Sequence, residues 1–97
     1  MTKIAFDMDG TLIHQEGNWE KTPDTPRYEV IALFFMLQAI ESNEMFIWSG
    51  GGIDYAKRWA EKLGLIDYVT IVEKGYGEMD IVFDDEEVNL GKVNIKV

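Results

Sequence analysis

The sequence contains no cysteine and only one histidine. Without thiols, the chain can form neither a disulfide framework nor a thiolate metal site, so any metal would be held by oxygen ligands or by that histidine. The sequence also lacks a run of about 18 apolar residues, and no basic amino-terminal region precedes an apolar segment. We therefore expect neither membrane insertion nor export, and we predict a cytoplasmic protein.

Basic residues are scarce, because 9 Lys and Arg stand against 18 Asp and Glu and give a formal net charge of -9. Such a charge repels the phosphate backbone of nucleic acids, so we expect no non-specific nucleic-acid binding. A phosphorylated ligand would have to be captured by local contacts. Several acidic residues cluster between Glu78 and Glu87, and for Glu86 and Glu87 the simpler interpretation is a solubilising loop.

Hydrophobic residues make up 46% of the 97-residue chain, which is enough to build a packed core. A chain of this length accommodates one domain. No internal repeat or linker-like tract divides the sequence, apart from the short glycine cluster at positions 50–52. We therefore expect residues 1–97 to form a single domain.

Hydrophobic patterning predicts strands and helices in alternation. This order predicts a small three-layer, Rossmann-like α/β domain with a mostly parallel sheet of about five strands. The segment 73–79 is too short for a crossover helix, so strands three and four are either not neighbours or are joined by an extended connection. The predicted strands are 3–6, 45–48, 68–72, 80–83 and 93–97, and the predicted helices are 25–42 and 53–63.

The first predicted helix carries apolar residues all around its axis. Thr25 would cap its start, and Pro26 is tolerated at the first helical position. One sheet cannot cover so much apolar surface. Two explanations stay open: burial between the sheet and an irregular polar segment at 10–24, or a homo-oligomer contact through the helix around residues 27–42.

Polar side chains follow four of the predicted strands. In open parallel sheets, ligands gather outside the carboxyl ends of the strands, so these side chains are expected to converge. Four carboxylates at one edge would repel each other unless a cation lay among them, and oxygen ligands without sulfur or imidazole favour Mg²⁺. The residues concerned are Asp7 and Asp9 after strand one, Ser49 and Gly50 after strand two, Lys74 after strand three, and Asp84 and Asp85 after strand four.

Mg²⁺ keeps several waters and shares its remaining ligands with phosphate oxygens. Ser49 offers a hydroxyl and Lys74 an ammonium group to a phosphate bound in this way. Phosphoryl transfer depends mainly on positioning and on charge neutralisation, so a small rim of such groups suffices for it.

The order of these features resembles the haloacid dehalogenase superfamily of phosphatases. It comprises DMDGT at 7–11, a hydrophobic strand closing on Ser49, then Lys74, and then IVFDD at 81–85. The length, together with Val88 and Asn89 after the acidic pair, is similar to short bacterial and phage-like members. No segment between 11 and 25 or between 49 and 74 is long enough for an inserted cap domain. Lys74 lies closer to Asp84 than is common in the superfamily.

This resemblance implies a magnesium-dependent phosphatase. Asp7 would be the nucleophile that becomes an aspartyl phosphate, and Asp9 the general acid and base. Asp7, the backbone carbonyl of Asp9, and Asp84 would hold Mg²⁺, while Asp85 would either bind through water or orient Asp84. The phosphate would be gripped and neutralised by Ser49, Gly50, Gly51 and Lys74.

Other interpretations of the same residues stay open. The domain could be a catalytically weak or inactive module that binds phosphate or Mg²⁺, or a structural acidic domain assembled through its apolar helix. Ser49 could cap the second helix, and Lys74 could be a solvated surface residue. The substrate is predicted only as a class, either a phosphorylated small molecule or a macromolecular phosphomonoester.

Overall fold

The computed structural model describes residues 1–14 and 25–97. Most of the irregular segment predicted at 10–24 therefore lies outside the described residues. In the described ranges the chain forms five strands, two α-helices and one short 3-10 helix. The order is β1 (Thr2–Asp7), α1 (Tyr28–Gln38), β2 (Asn43–Trp48), α2 (Ile53–Lys62), the 3-10 helix (Ile66–Tyr68), β3 (Thr70–Ile71), β4 (Met79–Asp84) and β5 (Gly91–Lys96).

The strands form one sheet in the order β3-β2-β1-β4-β5. Every pair of neighbours is parallel, which confirms the predicted α/β fold with a parallel five-stranded sheet. β1 lies at the centre, where Ile4 is paired with Met45 on one side and Ile81 on the other. The carboxyl ends of β1, β2 and β4 consequently meet at the same edge.

Both α-helices cover the same face of the sheet. Side chains alternate along β1, so Ile4 and Phe6 point to this face, where they belong to one core cluster with Phe34 of α1 and residues of α2. The Phe6 ring stacks on Phe83 at 4.6 Å and meets Phe34 edge-on at 5.4 Å. These aromatic contacts fix α1 over the central strands.

The opposite face is covered without a helix in the described residues. Ala5, Phe46, Trp48, Met79 and Val82 form a second core cluster on this face. Val72, which follows β3, belongs to the same cluster, and Val88 and Leu90 of the connection after β4 pack against it. β3 and β4 are separated by β2 and β1, which is one of the two alternatives that the short connection left open. The third layer is therefore built from extended chain, because the connections from β3 to β4 and from β4 to β5 are both too short for a helix.

The predicted bounds of α1 are wrong at both ends. The carbonyl of Thr25 accepts a hydrogen bond from the backbone N–H of His14, and Pro26 bridges Ile13. This segment pairs with the chain after β1 instead of starting the helix. At the other end, the Asn43 side chain donates to the Leu37 carbonyl, so the helix ends several residues before position 42.

The second predicted helix is confirmed to within one residue. It ends before Gly64, whose φ of 75° is the left-handed conformation that stops a helix. The third strand is shorter than predicted, because residues 66–68 form a 3-10 helix and only Thr70–Ile71 pair with β2. Neither α1 nor α2 is long and apolar enough to cross a lipid bilayer.

Candidate active site

The carboxyl edge of the sheet holds a cleft of about 190 Å³. The predicted site residues converge on it from four different strand ends. Ser49 is buried next to the cleft and is hydrogen-bonded to Asp9 and Gly51, which line it. Two larger clefts, of about 310 and 330 Å³, lie elsewhere and have none of these residues in their walls. The cleft is lined by Asp7, Asp9, Gly50, Gly51, Lys74, Asp84, Asp85 and Glu86.

Three carboxylates form the acidic part of the site, which we call the acidic triad: Asp7, Asp84 and Asp85. Each offers an oxygen, and these oxygens all lie within 4.8 Å of one another. Asp7 and Asp84 are buried, with 4% and 1% of their surface exposed. Burial and the nearby charge of Asp84 raise the pKa of Asp7 to about 7, although Lys74 opposes this shift. Burial also raises the pKa of Asp85, and Asp84 adds to that effect.

Lys74 lies between two members of the acidic triad. Its ammonium nitrogen is 3.2 Å from Oδ1 of Asp7 and 3.1 Å from Oδ2 of Asp84. Burial alone would lower the pKa of Lys74, but the charges of Asp7 and Asp84 and their hydrogen bonds outweigh it and raise that pKa. Lys74 is therefore part of the site and not a solvated lysine remote from it.

One oxygen of Asp84 has a defined backbone partner, whereas the other is poorly satisfied. Oδ1 accepts a hydrogen bond of 2.9 Å from the backbone N–H of Glu86. Oδ2 is buried and close to Lys74, yet it has no hydrogen bond of good geometry. The Lys74 ammonium, 3.1 Å away, is the positive charge that compensates this buried oxygen.

Asp9 lines the same cleft but does not belong to the acidic triad, and two hydroxyl groups hold its carboxylate. Ser49 donates to its Oδ2 at 3.2 Å, and Tyr55 donates to its Oδ1 at 2.5 Å. The Ser49 hydroxyl in turn accepts a hydrogen bond from the backbone N–H of Gly51. α2 begins after Gly52 without a side-chain cap, so the interpretation of Ser49 as a helix cap is wrong.

The sequence analysis missed Tyr55, because it predicted the second helix without assigning any of its residues to the site. The available signal was its position in the first turn of a helix that follows Ser49 and three glycines. The first turn of a crossover helix lies beside the carboxyl edge of a parallel sheet. A polar side chain there is a candidate for contact with the site.

The Gly-Thr pair after Asp9 has a structural explanation. Gly10 has a φ of 80°, and a Cβ at this position would collide with the Asp85 carboxylate. Its carbonyl accepts a hydrogen bond of 2.8 Å from the Arg27 guanidinium, and the Thr11 hydroxyl lies 3.4 Å from Oδ1 of Asp85. The positive φ therefore favours glycine here, and a side chain would also have to displace the Asp85 carboxylate.

The acidic triad fits a hard divalent cation. All of its donors are carboxylate oxygens, the set that Mg²⁺ accepts and that suits zinc less well. Oδ2 of Asp84 makes no hydrogen bond of good geometry, so it keeps a lone pair available to such a cation beside Lys74. Asp7, Asp84 and Asp85 could therefore hold Mg²⁺, with the remaining positions left to water or to a ligand.

No family model, no curated protein and no solved structure matched this chain when it was compared with each. Its chemistry therefore has to be argued from its own residues.

Proposed function

We propose that the chain is a magnesium-dependent phosphomonoesterase of the haloacid dehalogenase type. The observation that carries this proposal is the gathering of Asp7, Lys74 and Asp84 within hydrogen-bonding distances at one cleft. A buried carboxylate beside an ammonium group and further carboxylates is suited to attack on phosphorus. Mg²⁺, when bound by the acidic triad, would neutralise the phosphate and the carboxylates.

In this proposal the reaction has two steps. An oxygen of Asp7 attacks phosphorus, an aspartyl phosphate forms, and the bond to the ester oxygen breaks while Asp9 gives that oxygen a proton. Asp9 then takes a proton from water, whose oxygen attacks the phosphorus. Inorganic phosphate leaves and the Asp7 carboxylate is restored.

The other residues position groups and neutralise charge. Lys74 would compensate the negative charge on Asp7 and on the phosphoryl oxygens in the transition state. Ser49 and Tyr55 hold the Asp9 carboxylate in one orientation, and in this role they would direct it toward the ester oxygen. Gly50 and Gly51 line the same cleft. The amide of Gly50 is a candidate for contact with the phosphate, whereas the amide of Gly51 donates to Ser49.

A second function is supported by the contacts of Asp9. Both of its carboxylate oxygens already accept hydrogen bonds, from Ser49 and Tyr55. A group held in this way transfers protons poorly if neither bond yields. We therefore keep as the alternative a module that binds phosphate and Mg²⁺ with little or no turnover.

The deciding experiment uses a panel of phosphomonoesters that includes sugar phosphates, nucleotides, phosphopeptides and an aryl phosphate. The proposal expects release of phosphate with Mg²⁺, none with a chelator, and none from Asp7→Asn. The exposed Asp67 supplies a matched control, since Asp67→Asn removes a carboxylate far from the cleft and should leave turnover intact. Turnover by Asp7→Asn, or none by the parent chain on any ester, would contradict the proposal.

The alternative has its own signature in the same samples. Tight binding of beryllium fluoride with Mg²⁺, without hydrolysis of any ester, would favour the binding module. From the sequence we also propose that the protein is cytoplasmic and that its substrate is a phosphorylated small molecule or a macromolecular phosphomonoester. The panel distinguishes a phosphorylated small molecule from a macromolecular phosphomonoester.

A further inference from the structure

The outward face of α1 is apolar and largely exposed in the described part of the chain, although the ring of Phe35 contacts Tyr68. Tyr28, Met36 and Phe35 of the helix are 73%, 70% and 37% exposed, and Ile40, just beyond the end of the helix, is 50% exposed. Val30 and Phe34 on the inner face supply the contact with the sheet. The sheet therefore covers only the inner face of α1, as its apolar residues on all sides had indicated.

Four exposed residues of this face follow the spacing of a helix-pairing seam. Tyr28, Ala32, Phe35 and Ala39 are all exposed and are separated by four, three and four positions. At about 100° per residue, these positions fall within one narrow stripe, as in the contact line of paired helices. Large and small side chains alternate along the stripe, which we call the α1 seam.

We propose that the α1 seam packs against the same seam of a second copy, with the two helices antiparallel. A two-fold axis midway between Ala32 and Phe35 sets Ala32 against Phe35 of the second copy. It also sets Tyr28 against Ala39 of the second copy. Every large ring then faces a methyl group, so the contact is self-complementary.

A parallel pair would fit this sequence less well. It would set Tyr28 against Tyr28 and Phe35 against Phe35 of the second copy, which crowds two layers. Ala32 and Ala39 would each face their own copies, which leaves the other two layers underfilled. The alternation of sizes therefore selects the antiparallel arrangement.

The charge distribution permits the same contact. The chain carries a net charge of -9, so two copies repel each other, and this repulsion opposes contact least where the facing surfaces carry no acidic groups. The α1 seam has no charged residue. Glu29, the one acid in the helix, binds Arg27 of its own chain, and the antiparallel arrangement keeps the two Glu29 residues at opposite ends.

The exposed area predicts a weak dimer. The four seam residues, with Met36 and Ile40 beside them, expose on the order of 500 Å² per copy, less than the roughly 800 Å² of a standard interface. A face of this size is still at the upper end of what monomers show. We therefore expect association at micromolar concentrations and dissociation on dilution.

Sedimentation velocity of the full chain at about 5 to 500 μM tests this proposal directly. The parent chain should shift from monomer to dimer over that range. Ala39→Glu places a charge in the seam and should lower the association constant at least about tenfold. Lys57→Gln, at an exposed position of α2, changes the net charge equally and should leave association unchanged.

A size exchange tests the antiparallel pairing itself. Ala32→Phe sets two rings against each other and should weaken association about tenfold. Adding Phe35→Ala restores one large side chain facing one small one, so the double variant should recover most of the lost association. Thermal melting of each variant shows whether the fold is intact, because Phe35 also contacts Phe34 and Tyr68.

Three outcomes would overturn the proposal. One is a parent chain that stays monomeric throughout the concentration range. Another is a dimer whose association constant is the same in Ala39→Glu as in the Lys57→Gln control. The third is a folded double variant that associates no better than Ala32→Phe alone.

Discussion

Replacing Asp7 by asparagine should stabilise the metal-free protein at alkaline pH, although it removes the proposed nucleophile. The pKa of Asp7 rises from its ordinary value of 3.8 to about 7 in the folded protein, mainly through burial and then through the charge of Asp84. The folded state therefore holds a proton that the unfolded state has lost between these two pH values. Stability consequently falls as the pH rises from about 4 to about 7.

The size of the effect follows from the shift in pKa. About three units at about 1.4 kcal/mol each give up to about 4 kcal/mol of destabilisation by ionised Asp7 at pH 8. At pH 5 the folded group is mostly protonated and the penalty falls to about 1.5 kcal/mol. Asp7→Asn removes this pH dependence, since its side chain does not titrate.

Urea denaturation in metal-free buffer at pH 5 and pH 8 measures the two differences. We expect the advantage of Asp7→Asn over the parent chain to be larger at pH 8 by about 2.5 kcal/mol. Asp67→Asn, which changes an exposed carboxylate, serves as the control and should show little difference between the two conditions. The reasoning is refuted if the advantage of Asp7→Asn is the same at both pH values, or if it is larger at pH 5.

Three further predictions concern the cation, the acid and the turn. Mg²⁺ at about ten times its dissociation constant should stabilise the parent chain by about 1.4 kcal/mol in thermal melting; Asp84→Asn should show no such rise, and an equal rise in both would argue against the acidic triad. Tyr55→Phe removes the hydrogen bond to Asp9, so kcat should fall about tenfold with KM little changed and the pH profile displaced. An unaltered profile would exclude this positioning role. Gly10→Ala forces a Cβ onto the Asp85 carboxylate at a positive φ and should cost about 1–3 kcal/mol in urea denaturation; unchanged stability would contradict the close approach.

Local pattern was sufficient to predict the sheet and the convergence of the site. The buried run before Asp7 and the second run before Ser49 are short, apolar and followed by polar residues, which defines both a strand and its carboxyl end. Because the strands are parallel, those ends had to meet at one edge. Asp84 and Asp85, at the carboxyl end of β4, lie at this edge for the same reason.

The remaining features depend on tertiary contacts that no local pattern encodes. Thr25 and Pro26 have the composition of a helix start, yet their backbone pairs with the segment at positions 13 and 14, and this pairing overrides local preference. Tyr55 reaches Asp9 only because α2 starts at the carboxyl edge. The layer of extended chain over the second face depends on the strand order, which sequence alone left open.

The central position of β1 has a consequence for how the chain is made. Ile4 of β1 and its partner Ile81 of β4 are far apart in the sequence, so β1 is synthesised well before the strand that pairs with this edge. Until β4 has been made, this edge of β1 stays unpaired, a state that invites pairing with other nascent chains. A chaperone that shields strand edges should therefore raise the yield of this protein.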